Sequence, residues 1–136
     1  MTGKIEMPLM KNNITRDDLD KVIEFLKRDD PILTQSSNVQ AFEEEWSQWL
    51  GVKFSVFVNS GSSANYLAVE ILDLEKGSEV ITPALTFSTT VAPLLKFNLV
   101  PAFVDVEPGT YNIDVDKVEE MITDKTKALM VPNLLG

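Results

Sequence analysis

The chain of 136 residues contains neither cysteine nor histidine. Without cysteine there is no disulfide, no thiolate nucleophile and no sulfur-ligated metal. Without histidine the usual general base at neutral pH and the commonest metal ligand are gone as well. No apolar run is long enough to span a bilayer, and the leading segment, Met1 to Asn13, lacks the apolar core of a secretion signal. Basic residues are scarce: 12 Lys and Arg against 21 Asp and Glu give a net charge of −9. That balance argues against the basic face a nucleic-acid binder needs. These absences lead us to expect a cytoplasmic protein with no metal, no nucleic-acid partner and no membrane partner. A small phosphorylated ligand stays open, because backbone N–H groups hold anions without entering the net charge.

What is present is the material of one soluble domain: 44% hydrophobic and 24% charged residues, in a chain too short for two full cores. Thr15-Arg16-Asp17-Asp18 reads as an N-cap with acids in the first turn. Leu19, Val22, Ile23 and Leu26 then share one helical face, and Asp29-Asp30-Pro31 stops the helix. After an irregular stretch, a second amphipathic helix is expected from about Val39 to Leu50, with Val39, Phe42, Trp46, Trp49 and Leu50 on a stripe and Gly51 as C-cap. Glu43, Glu44 and Glu45 read as a solvated flank, since a carboxylate metal site needs converging partners.

From Lys53 onward strands alternate with helices. Phe54 to Val58, Glu79 to Thr82, Val100 to Val106 and Lys127 to Val131 read as strands. Ala64 to Leu72, Ser88 to Phe97 and a short segment capped by Asp114 and running through Ile122 read as helices. That order predicts an α/β fold with a mainly parallel sheet, flanking helices and right-handed crossovers. The chain stops just after its last strand, where another strand–helix unit is expected, so we expect the front part of a longer fold.

Ligands of open parallel sheets sit at the carboxyl ends of strands. Asn59-Ser60-Gly61-Ser62-Ser63-Ala64 is a Gly/Ser turn between a strand and a helix start. Free N–H groups of the first helical turn, the helix dipole and the Ser62 and Ser63 hydroxyls together make a phosphate cup, with Gly61 allowing close approach and unusual φ. It is neither a Walker loop nor a dinucleotide glycine fingerprint. The plainer alternative is a serine-capped helix with no ligand. At the same sheet edge, Phe87 in Thr82-Pro83-Ala84-Leu85-Thr86-Phe87 can stack on a flat heteroaromatic ligand or simply pack in the core.

These segments resemble the DegT/StrS-type enzymes that use pyridoxal 5'-phosphate (PLP), the nucleotide-sugar aminotransferases and their 3-dehydratase relatives. The resemblance runs in order through Leu33-Thr34-Gln35, the Phe42 to Gly51 helix, Val58 to Ala64, Gly77 to Phe87, Pro101 to Val106, Tyr111-Asn112-Ile113-Asp114 and Thr123 to Ala128. It implies the large domain of a fold-type-I PLP enzyme, truncated here, with residues 1–52 as an N-terminal helical segment and 53–136 as the first part of the PLP-binding domain. It implies PLP or pyridoxamine 5'-phosphate (PMP) as cofactor, its phosphate met by Gly61, Ser62 and Ser63 and its ring by Phe87. Thr34 falls in the family's segment near the substrate entrance. The implied reaction transfers an amino group, usually from glutamate, to a nucleotide-linked keto-deoxysugar in a homodimer, the setting being deoxysugar and lipopolysaccharide O-antigen biosynthesis.

The resemblance places the aspartate that pairs with the pyridine nitrogen, and the lysine that holds the cofactor covalently, beyond Gly136. Lys53, Lys76, Lys96 and Lys127 do not match that lysine. No catalytic residue is therefore expected within this chain, and alone it is expected to be inactive. Where the family's aminotransferases carry a histidine, this chain has Asn133 before Leu134-Leu135-Gly136. That departure, with Ser88-Thr89-Thr90, looks more like the PLP- or PMP-dependent dehydratases that remove the 3-hydroxyl of a nucleotide-linked 4-keto-6-deoxysugar, with a histidine in the lysine's place. Two further readings stay open: a non-catalytic PLP- or phosphate-binding module, and an unrelated phosphate-binding α/β protein of flavodoxin type.

Overall fold

The computed structural model describes residues 13–133. Most of the leading segment, and Leu134-Leu135-Gly136, lie outside the described residues. The chain divides into two compact units between Phe57 and Val58.

The first unit is helical. Helix α1 spans Arg16–Leu26, and Thr15 caps it as expected: the Asp18 amide donates to Thr15 Oγ1 at 3.2 Å while the Thr15 amide donates back to Asp18 Oδ2 at 2.8 Å. This reciprocal box satisfies two amides that a helix start otherwise leaves without partners. Helix α2 spans Ser37–Leu50 and ends on Gly51 at φ 75°, where a left-handed turn needs no Cβ. Its stripe is aromatic: Phe42 stacks on Trp46 at 6.0 Å, Trp46 meets Trp49 at 4.9 Å, and Phe57 meets Phe42 edge-on at 5.3 Å.

The second unit holds helix α3 (Gly61–Glu70), strand β1 (Glu79–Pro83), helix α4 (Ser88–Lys96), strand β2 (Val100–Val104), helix α5 (Val115–Glu120) and strand β3 (Thr126–Leu129). The sheet has three strands in the order β2-β1-β3, both pairings parallel. β1 lies in the middle, so successive side chains are buried on opposite faces. Val80 joins Val69, Leu94 and Leu99 under α3 and α4, whereas Ile81 joins Val104 and Ile113 on the other face, with Val118 of α5. Pro101 sits in an edge strand, the position that tolerates a missing ladder N–H.

Four expectations need correction. Phe54 to Val58 forms no strand: β1 has neighbours on both edges, and Phe57 gives its amide to the Glu43 carboxylate at 2.7 Å instead of to a ladder. Glu43 is accordingly a backbone tether rather than only part of a solvated flank. Helix α3 begins at Gly61, three positions earlier than Ala64, because Ser60 supplies its cap. Asp114 stands at the N-cap of α5 but makes no side-chain cap bond. Its carboxylate pairs with Lys117 at 3.1 Å, which holds Asp114 below the ordinary aspartate range and Lys117 above the ordinary lysine range.

Candidate functional site

The carboxyl ends of all three strands point to one edge of the second unit, and both turn motifs stand there. The Gly/Ser turn is built around Ser60. Its Oγ accepts from the Ser63 amide at 3.2 Å, while the Ser63 hydroxyl donates to Asn59 Oδ1 at 2.6 Å. Ser63 is thus occupied within the turn. Among the described residues, the Gly61 and Ser62 amides and the Ser62 hydroxyl have no protein partner, and the first turn of α3 carries no acid to oppose an anion. Gly61 does not take the unusual φ expected of it; the glycines with positive φ among the described residues are Gly51 and Gly77. A Cβ at Gly61 would meet nothing within 4 Å. The space that a side chain would fill is open, as the phosphate of a bound group requires.

Phe87 is the N-cap residue of α4 and is 75% exposed. Core packing therefore does not explain it. Helices α3 and α4 are tied together near their starts. Pro93 lies inside α4 and has no N–H for the carbonyl of Thr89, its acceptor one turn back. Asn65 Nδ2 donates to that carbonyl at 3.2 Å. A side chain from the phosphate-cup helix thus completes the helix that carries Phe87. Sequence reading missed this bond; its signal was an asparagine, a weak helix former, in the second turn of α3.

A cavity of about 140 Å³ opens beside Phe87, lined also by Leu85, Thr86, Tyr111, Ile113 and Pro132. Thr86 donates to the Thr90 hydroxyl at 3.0 Å under this wall. Thr34 is exposed in the bend before α2, in the first unit. No group of three or more Asp and Glu residues is placed to hold a metal, and no helix is long and apolar enough to cross a membrane, among the described residues.

The chain matches the model of the DegT/DnrJ/EryC1/StrS aminotransferase family over residues 12–136. It is 37% identical over 138 residues to the GDP-4-keto-6-deoxy-D-mannose 3-dehydratase of Yersinia pseudotuberculosis, covering 97% of this chain and 35% of that protein. It is 41% identical over 112 residues to the dTDP-4-dehydro-2,6-dideoxy-D-glucose 3-dehydratase of Saccharopolyspora spinosa, covering 76% of this chain and 24% of that one. In structure it matches a GDP-4-keto-6-deoxymannose-3-dehydratase, solved with a trapped PLP-glutamate geminal diamine, at a TM-score of 0.81 and 34% identity, over 90% of this chain and 33% of that one. The chain therefore spans about a third of the length of the first of these curated relatives. The α/β fold with a parallel sheet expected from the sequence is that of the fold-type-I sugar aminotransferases and dehydratases. A match running from residue 12 to residue 136 makes the conclusion direct: the chain belongs to the DegT/DnrJ/EryC1/StrS aminotransferase family.

Proposed function

We infer that the second unit is the phosphate- and ring-binding part of a PLP- or PMP-dependent enzyme acting on a nucleotide-linked keto-deoxysugar. The observation that carries this reading is the pairing of an open, acid-free helix start at Gly61 and Ser62 with the exposed ring of Phe87, tied together by Asn65. The residues fit the cofactor. The α3 amides and the Ser62 hydroxyl would hold its phosphate dianion, Ser63 shapes the turn through Asn59, and Phe87 would meet its ring. When bound, the cofactor supplies an electron sink for carbanion chemistry next to its nitrogen. This chain's residues bind and orient it. Proton transfer at the sugar carbon is not assigned to any residue of this chain.

Between the two branches, we favour removal of the sugar 3-hydroxyl over amino transfer, because relatives named as 3-dehydratases match this chain over 97% of its length. Asn133, in the position where the aminotransferases carry histidine, supports the same branch. A homodimeric assembly, a cytoplasmic setting and Thr34 near the substrate entrance belong to this same reading, and glutamate as amino donor belongs to its aminotransferase branch.

Calorimetric titration of the chain with PMP, which has no aldehyde to react with surface lysines, tests the site. Ser62→Ala is expected to weaken PMP binding about tenfold, the loss of one hydrogen bond to a charged group. Ser63→Ala is expected to weaken it less, through the turn alone. Unchanged affinity in both variants, or equal displacement of PMP by flavin mononucleotide, overturns the reading.

A further inference from the structure

The cavity at the strand ends has a second aromatic residue that the cofactor reading does not use. Tyr111 lines it together with Phe87, yet the two rings make no ring contact with each other or with any other described ring. Tyr111 is 55% exposed, and its hydroxyl has no hydrogen-bond partner among the described residues.

The backbone of Tyr111 is the unusual part. Positive φ is found at Asp73, Asn98 and Tyr111 among the described non-glycine residues. Aspartate and asparagine take that conformation readily, whereas a bulky aromatic at φ 59° is an outlier. The turn that enforces it is closed from both sides. The Tyr111 amide donates to the Glu107 carbonyl at 2.8 Å, and the Glu107 amide donates to the Asn112 carbonyl at 2.9 Å. Glycine or asparagine would satisfy the same bonds without strain. A tyrosine held there against its preference, with its ring turned to a cavity, is the pattern expected of a contact residue kept for a ligand.

The cavity among the described residues measures about 140 Å³, close to the roughly 150 Å³ that holds one benzene ring. The lining is apolar on Leu85, Phe87, Ile113 and Pro132, so a flat ring with polar groups at its edge suits it. We propose that this cavity receives a single six-membered heteroaromatic ring, with Tyr111 as a second aromatic contact beside Phe87 and its hydroxyl bonding a polar substituent at the ring edge. The proposal rests on the cofactor reading above and adds a residue to it.

The test uses the full chain with PMP and with pyridoxamine, which keeps the ring and lacks the phosphate, followed by calorimetry. Tyr111→Ala is expected to weaken both compounds by a similar factor, about tenfold. Tyr111→Phe keeps most of the ring contribution and loses that of the hydroxyl. Ser62→Ala weakens PMP alone. Tyr111→Gly is expected to melt no lower than the unmodified chain, because the strain is relieved, while binding as poorly as Tyr111→Ala. Serine variants that weaken PMP beside Tyr111 variants that do not overturn this inference and leave the cofactor reading standing. Absence of PMP binding in the unmodified chain overturns both. A parallel titration with GDP separates the other source of a flat ring: GDP affinity that falls in Tyr111→Ala while PMP affinity holds assigns the ring to a nucleotide and overturns the proposal. A melting point several degrees lower in Tyr111→Gly shows the ring to be packing, and overturns it as well.

Discussion

Asn65 and Thr89 are joined because Pro93 leaves the Thr89 carbonyl free and the Asn65 amide group takes it at 3.2 Å. Removing the amide strands an acceptor at the junction of α3 and α4. Asn65→Ala is expected to cost about 1–2 kcal/mol in urea unfolding. In a Pro93→Ala background an N–H returns to position 93 and the cost of Asn65→Ala should shrink. A double-mutant cycle with no coupling between the two positions would remove this account.

Ile81 sits at the centre of the sheet with no exposure, between Val104 and Ile113. Ile81→Ala should destabilise the second unit by about 3 kcal/mol, and by more if the space cannot collapse. Val56, although part of an equally β-rich stretch, is exposed and unpaired. Val56→Thr should change stability by less than about 0.5 kcal/mol. Equal effects at the two positions would show that the segment before the Gly/Ser turn contributes as much to stability as β1 does.

These contrasts show what could be read from sequence. Helix faces, several caps and β1 were legible because their signals are local: Thr15 with Asp18, Gly51, and the short β-rich run from Glu79 to Thr82. The segment from Phe54 to Val58 misled because strand composition says nothing about a free neighbour, and Glu43 lies too far back in sequence to be seen as its tether. The order β2-β1-β3 was likewise hidden, being a choice among parallel arrangements of equal pattern. At the site, the Gly/Ser turn and Phe87 were visible as motifs. Tyr111 was visible only as part of a family-like segment, since its backbone angle leaves no mark when the residue is neither glycine nor asparagine.

Thr82 carries a hydroxyl that is fully buried and has no hydrogen-bond partner among the described residues. Alternation along β1 places it on the same face as Val80, under α3 and α4. Thr82→Val keeps the shape and removes the unpaired group, so it should stabilise the chain by about 1 kcal/mol. Thermal melts decide the matter, and a lower midpoint in the variant would mean that the hydroxyl is satisfied in solution.

Asp18 is held below its ordinary value of 3.8, first by the Thr15 side-chain hydrogen bond and then by the Thr15 amide. A carboxyl depressed in the folded state stabilises above its unfolded value and loses that contribution as pH falls through the folded one. Helicity of α1, followed by circular dichroism, should therefore decline below about pH 4. Thr15→Ala should flatten that part of the acid curve. At the alkaline end the pair is Asp114 with Lys117, whose raised value makes its contribution present at neutral pH and lost as pH climbs through it. An acid limb unchanged by Thr15→Ala would remove the capping box from the explanation.

The register of the sheet also sets a timetable. Glu79 pairs with Val100 on one side and with Thr126 on the other, so both neighbours of β1 are made after it. On a ribosome, β1 leaves the exit tunnel after α3 but with both of its hydrogen-bonding edges unpaired. It gains its first companion one crossover later and its second only after another. The most buried strand of the unit is thus the one that waits longest for cover, and its sequence is the stretch where a chaperone would have most to shield.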